Sequence, residues 1–228
     1  MANNEFVVQQ KEVFLMSTDK YIPEAFQKII STFKHKNINC FFAANSKKAL
    51  ETSLRLIPNN AIAAMGNSLT LRETGIFEAL VKEDYQLINQ FEAGISREEN
   101  LRRRKLGLSA NVYLSGSNAV TEDGKLLNVD GKGNRVSAMM FGPDKVIIVA
   151  GKNKIVSNEQ QGWEHIRNYT APNLAKKLGR NTPCVKTGKC SDCRSPERIC
   201  RYYTVIGSQM PADKERINLI IVNENLGI

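Results

Sequence analysis

No apolar run in this sequence approaches the ~20 residues that a membrane-spanning helix needs. The opening stretch, Met1 to Gln10, is polar and carries no apolar signal core. Together these absences predict a cytoplasmic protein with no membrane partner. Repeats, low-complexity tracts and Pro/Ser-rich linkers are also missing, so the expectation is one α/β domain over residues 1–228. Histidine is scarce: His35 and His165 stand alone, with no HxxxH pair and no Ser–His–Asp arrangement. His165, next to Trp163, reads as packing. Neither a GxGxxG nor a Walker sequence occurs, so no nucleotide cofactor is expected. Aromatic residues are 7% of the chain and form no ladder. Single-strand stacking is therefore unsupported, and nucleic acid is not an expected partner.

What is present is an ordinary globular composition, 42% hydrophobic and 24% charged over 228 residues. That is enough apolar material for a full core. The 32 basic residues exceed the 23 acidic ones by 9, and two stretches hold the whole excess. Lys176 to Arg201 carries eight basic and two acidic residues; Arg97 to Lys105 carries five and two. The Arg102–Lys105 run reads as a solvated helix face.

Helices and short strands alternate along the first half. Pro23 to Lys36 has helical apolar spacing, with Pro23 in a first turn. Asn39 to Ala44 reads as a buried strand with Cys40 in the core. Ser46 is expected to cap a helix to Leu56. Strands are expected at Ala61 to Met65, Tyr85 to Asn89 and Asn111 to Leu114. Thr70 to Lys82 reads as helix broken at Gly75, and Ser96 to Leu106 as a helix with a Ser96/Glu99 capping box. Asp123-Gly124 and Asp130-Gly131 mark turns around a strand at Lys125 to Val129. A short helix is expected at Val136 to Phe141. Lys145 to Ala150 is the strongest buried-strand signal. Asn158 to Leu178 reads as mostly helical, with Pro172 opening a second helix. Tyr202 to Ile206 and Ile217 to Val222 read as strands. This order predicts a mostly parallel sheet flanked by helices, with a Cys-rich loop near the C-terminus.

Three constellations could carry chemistry. The first is Cys184, Cys190, Cys193 and Cys200, clustered among basic residues. Four thiolates suit tetrahedral Zn²⁺ or a [4Fe–4S] cluster, and the spacing does not choose between them. The alternative is a set of unliganded or oxidised thiols. The second is the Gly-rich stretch 115–135, where Asn118, Thr121, Glu122, Asp123, Asp130, Asn134 and Arg135 lie among glycines. Gly131 and Gly133 would let backbone amides approach an anion, and Arg135 could pair with a carboxylate or phosphate. The alternative is a hairpin with two Asp-Gly turns and no ligand. The third is Gly66-Asn67-Ser68-Leu69-Thr70, between a strand and a helix. It could meet an anion, or Ser68 or Thr70 could simply cap the helix. Glu73 could act as a base or be merely solvated.

The segments SGSNAVTEDGKLLNVDGKGNRVSAMMFGPDKVIIVAGKNKIV, GNSLTLRETGI and TPCVKTGKCSDCRSPERIC resemble the LUD (lactate-utilisation, formerly DUF162) domain family, in its short stand-alone form. The resemblance spans roughly Gly66 to the closing strand. It implies a fold related to the NagB/RpiA/CoA transferase-like α/β proteins. It also implies a link to lactate oxidation, beside iron–sulfur partner subunits. On this chain it places pocket residues at Gly66, Asn67, Ser68, Thr70, Asn118, Glu122, Asp123, Asp130, Asn134 and Arg135. Arg135 would then clamp the carboxylate of a 2-hydroxy acid, and Glu122, Asp123 or Asp130 would be the base. The ligand would be a small carboxylate or a phosphorylated or acyl molecule. Two alternatives stand beside this one: a non-catalytic assembly or regulatory subunit, and an isomerase or acyl-transfer enzyme. A homo-oligomer remains open.

Overall fold

The structure is a computed structural model that describes residues 21–82 and 85–228; Met1 to Gln10 lie outside them. Helix α1 (Glu24–His35) follows Pro23 and buries Phe26, Ile29 and Phe33. Strand β1 (Asn39–Ala43) leads to α2 (Ser46–Leu56). The cap of α2 is Asn45 and not Ser46: its side chain accepts from the Lys48 amide at 3.0 Å. Ser46 instead donates its hydroxyl to Glu224. After β2 (Ile62–Met65) the expected helix is split into α3 (Leu69–Glu73) and α4 (Ile76–Lys82). Gly75 sits at the break with φ +74°, a backbone that favours glycine.

Strand β3 (Gln86–Ile88) precedes α5 (Arg97–Leu106), whose Ser96 cap accepts from the Glu99 amide. Next come β4 (Val112–Gly116), β5 (Ala119–Thr121), β6 (Leu126–Asp130) and α6 (Asn134–Met140). The second half holds β7 (Lys145–Gly151), β8 (Ile155–Val156), α7 (Glu159–His165), α8 (Ala171–Lys177), α9 (Pro183–Thr187), β9 (Tyr202–Ile206) and β10 (Ile217–Val222).

The main sheet runs β1-β10-β7-β4-β2-β3, and each neighbouring pair is parallel. Its central strands are covered on both faces, which explains their continuous apolar sequences. In β7, Ile147 and Val149 join one core cluster with Leu56, Met65, Leu71 and Leu114. Val146, Ile148 and Ala150 face the opposite cluster, with Phe26, Phe33 and Phe42. β10 alternates the same way: Ile220 and Val222 on the first side, Leu219 and Ile221 on the second.

A smaller sheet, β8-β5-β6-β9, was not expected. Its Val120, Leu126 and Ile206 join the second cluster. The Asp123-Gly124 turn closes the β5–β6 hairpin as expected, with Gly124 at φ +82°. Asp130-Gly131 does not close a second hairpin. It carries the chain through Gly133 (φ +84°) into α6. Among the described residues no helix is long and apolar enough to cross a membrane.

Candidate functional site

Strands β2 and β4 lie side by side, β2 ending at Met65 opposite Leu114 and β4 running on to Gly116, and loops beyond strand ends are where an open α/β sheet gathers ligands. The loop after β2 and the loop after β4 cross there. Two glycines make the crossing possible. A Cβ on Gly66 would stand 3.1 Å from the aliphatic carbons of Arg135, and one on Gly116 would stand 2.8 Å from Ser68 Oγ. The crossing loops wall a cavity of about 420 Å³. Asn67, Ser68, Thr70, Asn118, Asp130, Gly131, Asn134 and Arg135 all line it. The two stretches singled out in the sequence therefore meet. Ser68 also caps α3, its hydroxyl accepting from the Leu71 amide. Gly66 and Gly133 lie just behind the wall, against Arg135 and Tyr202. Glu122 and Asp123 are not brought in: they are exposed at the far turn of the hairpin, where Asp123 faces Lys125 at 3.6 Å. Of the four acids considered as a base, Asp130 lines the cavity; Glu73 does not, and accepts from the Gly227 amide instead.

Arg135 does something other than wait for a ligand. Its Nε donates to Asp130 at 3.3 Å. Its Nη1 donates to the Gly116 carbonyl and Asn128 Oδ1, and its Nη2 to Asn118 Oδ1 and the Val129 carbonyl. A guanidinium has five N–H donors, and all five are committed here. The Arg135 amide also donates to Asp130, at 3.1 Å. The residue ties the β4 loop, β6 and the first turn of α6 into one unit. In this arrangement Arg135 acts as a brace, with its donors engaged by the protein itself.

The charged side chains of the rest of the wall are basic. Arg104, Lys132, Lys154 and Arg180 line it, whereas Asp130, the acid among the lining side chains, faces Arg135. The basic helix α5 thus has two faces. Arg102 and Arg103 pair with Glu99, holding that carboxyl down at about 2, while Arg104 turns to the cavity.

Lys154 gave no sequence signal beyond its place just after the strongest strand. It is 2% exposed, and its Nζ has no hydrogen-bond partner. Burial pushes its amine down to about 8, against a smaller opposing pull from Glu73. A π-helical turn, Ile166–Thr170, lies between α7 and α8 and turns Ile166 and Thr170 to the same cavity. Such turns often occur at functional sites. Thr170 Oγ1 and His165 Nε2 are also buried without partners. Burial lowers the His165 imidazole, and Lys154 lowers it further.

A family model for the LUD domain matches residues 26–222. The chain belongs to the LUD domain family. A crystal structure of a DUF162 family protein from Deinococcus radiodurans shares the fold of this LUD domain at a TM-score of 0.51 and 14% identity. The match covers 88% of this chain and 97% of the other. Ribose 5 phosphate isomerase A from Neisseria gonorrhoeae overlaps half of the chain, 50% of it and 53% of the isomerase, at a TM-score of 0.33 and 16% identity. No curated protein matches the sequence.

The cysteine segment of this LUD domain borders the cavity through Ile199 and Cys200. Arg198 organises it. Its Nε and Nη1 donate to the Cys200 and Cys193 carbonyls at 2.6 Å, and its Nη2 reaches Asp192 and Tyr203. All four thiols are free and half-buried. Burial pushes the Cys200 thiol up to about 11, and Cys190, Cys184 and Cys193 add to the rise, so the four share one neighbourhood. In number and kind they fit zinc or an iron–sulfur cluster. Among the described residues, however, no three metal-binding side chains converge on one point. Cys40 packs against the core, as expected.

Proposed function

We propose that this LUD domain binds a small carboxylate or phosphate-bearing metabolite in the cavity between its two crossing loops. Lactate or a similar 2-hydroxy acid is the first candidate, in keeping with the lactate link that the family resemblance implies. The charge of the wall carries this reading: Arg104, Lys132 and Arg180 face the cavity, and the acid beside them, Asp130, is held by Arg135. An anion entering such a site exchanges water for charge-assisted hydrogen bonds in a partly desolvated setting. Asn67, Ser68 and Thr70 add short polar side chains that can orient it. To Asp130, which lines the cavity, the same reading gives the role of receiving a proton from a bound hydroxyl.

Calorimetric titration with lactate, pyruvate and inorganic phosphate tests the reading. Saturable binding is expected for at least one of them. Arg104→Met with Lys132→Met should weaken it about tenfold or more, the equivalent of ~1.4 kcal/mol. Failure of all three anions to bind, or binding indifferent to the double variant, sinks it.

The same reading assigns Cys184, Cys190, Cys193 and Cys200 to a zinc or [4Fe–4S] centre in a reducing cytoplasm, with iron–sulfur partner subunits nearby. Anaerobic purification, metal analysis and visible absorption test this. Metal-free protein removes the centre, and zinc alone removes any electron-carrying role.

A further inference from the structure

We propose that Lys154 captures the carbonyl group of a 2-oxo acid as an imine. This rests on the anion-binding reading and sharpens its substrate class.

The argument starts from the position of the amine. Lys154 closes the short turn Lys152–Lys154 directly after β7, the strand between β10 and β4. The turn is pinned: the Lys152 amide donates to the Glu224 carbonyl at 2.9 Å. A Cβ on Gly151 would stand 2.6 Å from the Leu226 nitrogen and 2.7 Å from the Glu224 oxygen. The amine is thus carried on rigid backbone and lines the cavity.

Next comes what surrounds it. A lysine kept as a structural counter-ion has a carboxylate within reach, and none of the ion pairs among the described residues includes Lys154. Glu73 acts on it from a distance, and Glu73 Oε2 already accepts from the Gly227 amide at 2.6 Å. An ammonium that is 2% exposed and unpartnered is poorly solvated, which favours the neutral amine with its free lone pair. Its lowered protonation point agrees with that. Neutral amines of this kind attack carbonyl carbons. Thr170 Oγ1, on the same wall, is buried and unpartnered, so it is free to pass a proton during the reaction.

The step balances without an oxidant or reductant. The Nζ lone pair forms the C–N bond, and the carbonyl π pair moves to oxygen, which takes a proton. The nitrogen gives up one of its own protons. The carbinolamine hydroxyl takes a second proton and leaves as water while the nitrogen lone pair forms C=N. The net change is neutral amine plus ketone plus one proton to protonated imine plus water. The carboxylate of the 2-oxo acid would rest on the basic wall.

Reductive trapping tests the inference. The full chain is incubated with pyruvate and sodium cyanoborohydride, then examined by intact mass and peptide mapping, with lactate binding measured in parallel. The expected result is a gain of one reduced pyruvate, mapped to Lys154, slowed by added lactate and lost in Lys154→Arg. If that variant does not fold, mapping in the unaltered protein decides. Labelling scattered over surface lysines, with Lys154 no faster than they are, overturns the inference. Lactate binding without any adduct also overturns it and leaves the anion-binding reading standing. An adduct at Lys154 in a protein that binds no lactate supports the imine and refutes the lactate reading.

Discussion

Replacing Arg135 separates a brace from a clamp. Arg135→Met removes all five guanidinium donors at once. It takes a donor each from the Gly116 and Val129 carbonyls, Oδ1 of Asn118 and Asn128, and the Asp130 carboxylate, and leaves the Gly116 carbonyl to Ser115, the two amide oxygens to the Val129 and Asn118 amides, and Asp130 to the backbone amide at 135. The Arg135 and Asp130 side chains are only 12% and 16% exposed, so water makes good little of this. Breaking a buried pair from one side typically costs about 3–5 kcal/mol, a large share of the 5–15 kcal/mol that holds a domain together. We expect a loss of that order in urea unfolding followed by circular dichroism. Arg135→Lys should recover less than half of it, because a point ammonium cannot span five acceptors on two segments. The reasoning is refuted if Arg135→Lys or Arg135→Met unfolds within about 0.5 kcal/mol of the unaltered protein while anion binding disappears. That pattern would make Arg135 a ligand clamp after all.

Other consequences are simpler to measure. Lys154 is held at about 8 in the folded chain, against 10.5 without the fold. Between those values the unfolded chain binds more protons, so this group makes stability rise as pH increases through about 8 towards 10.5. Below about 8 the full cost of the buried charge is present, so Lys154→Met should raise the melting temperature at pH 7 and flatten its rise above pH 8. Arg198→Gln should loosen residues 184–200 and expose them to limited proteolysis, with little change in the global melting temperature. Gly116→Ala should weaken anion binding by pressing on Ser68, and Ser68→Gly in the same chain should restore part of it.

The elements easiest to read in the sequence owe their form to local chemistry. β7, β9 and β10 are dense apolar runs bounded by polar residues, and their observed spans lie within one residue of expectation. The Ser96 cap formed, but only half of the expected box did: Ser96 accepts from the Glu99 amide, while the Glu99 carboxylate turns to Arg102 and Arg103. Asn45 displaced Ser46 as the cap of α2 because Glu224, far along the chain, takes the Ser46 hydroxyl. The smaller sheet was illegible for a related reason. β5 has three residues and β8 two, and neither gains its place without β6 and β9. Within the site, the meeting of the 66–70 and 115–135 loops agrees with the family resemblance, which put residues of both in one pocket, whereas strand–loop order alone left it open. The saturation of Arg135 was not, since its acceptors are mostly backbone carbonyls and amide oxygens, which composition does not single out. Lys154 is one of many lysines in the sequence; only the packing around it leaves its nitrogen buried and alone.

The place of β10 in the main sheet bears on how the chain is made. β10 lies between β1 and β7, and Asn39 and Asn218, which bond across the β1–β10 pair, are 179 residues apart. At roughly 5–20 residues per second, a ribosome needs on the order of 10–40 s to travel that distance. β1 waits unpaired throughout that interval, and the β7 edge that β10 fills waits from Gly151 onward; unpaired strand is the sort of surface on which neighbouring chains add. The nascent protein therefore passes through a long period of exposure that ends only when β10 emerges. Slowing elongation before residue 217 should increase aggregation, and a chaperone that covers strand edges should suppress it.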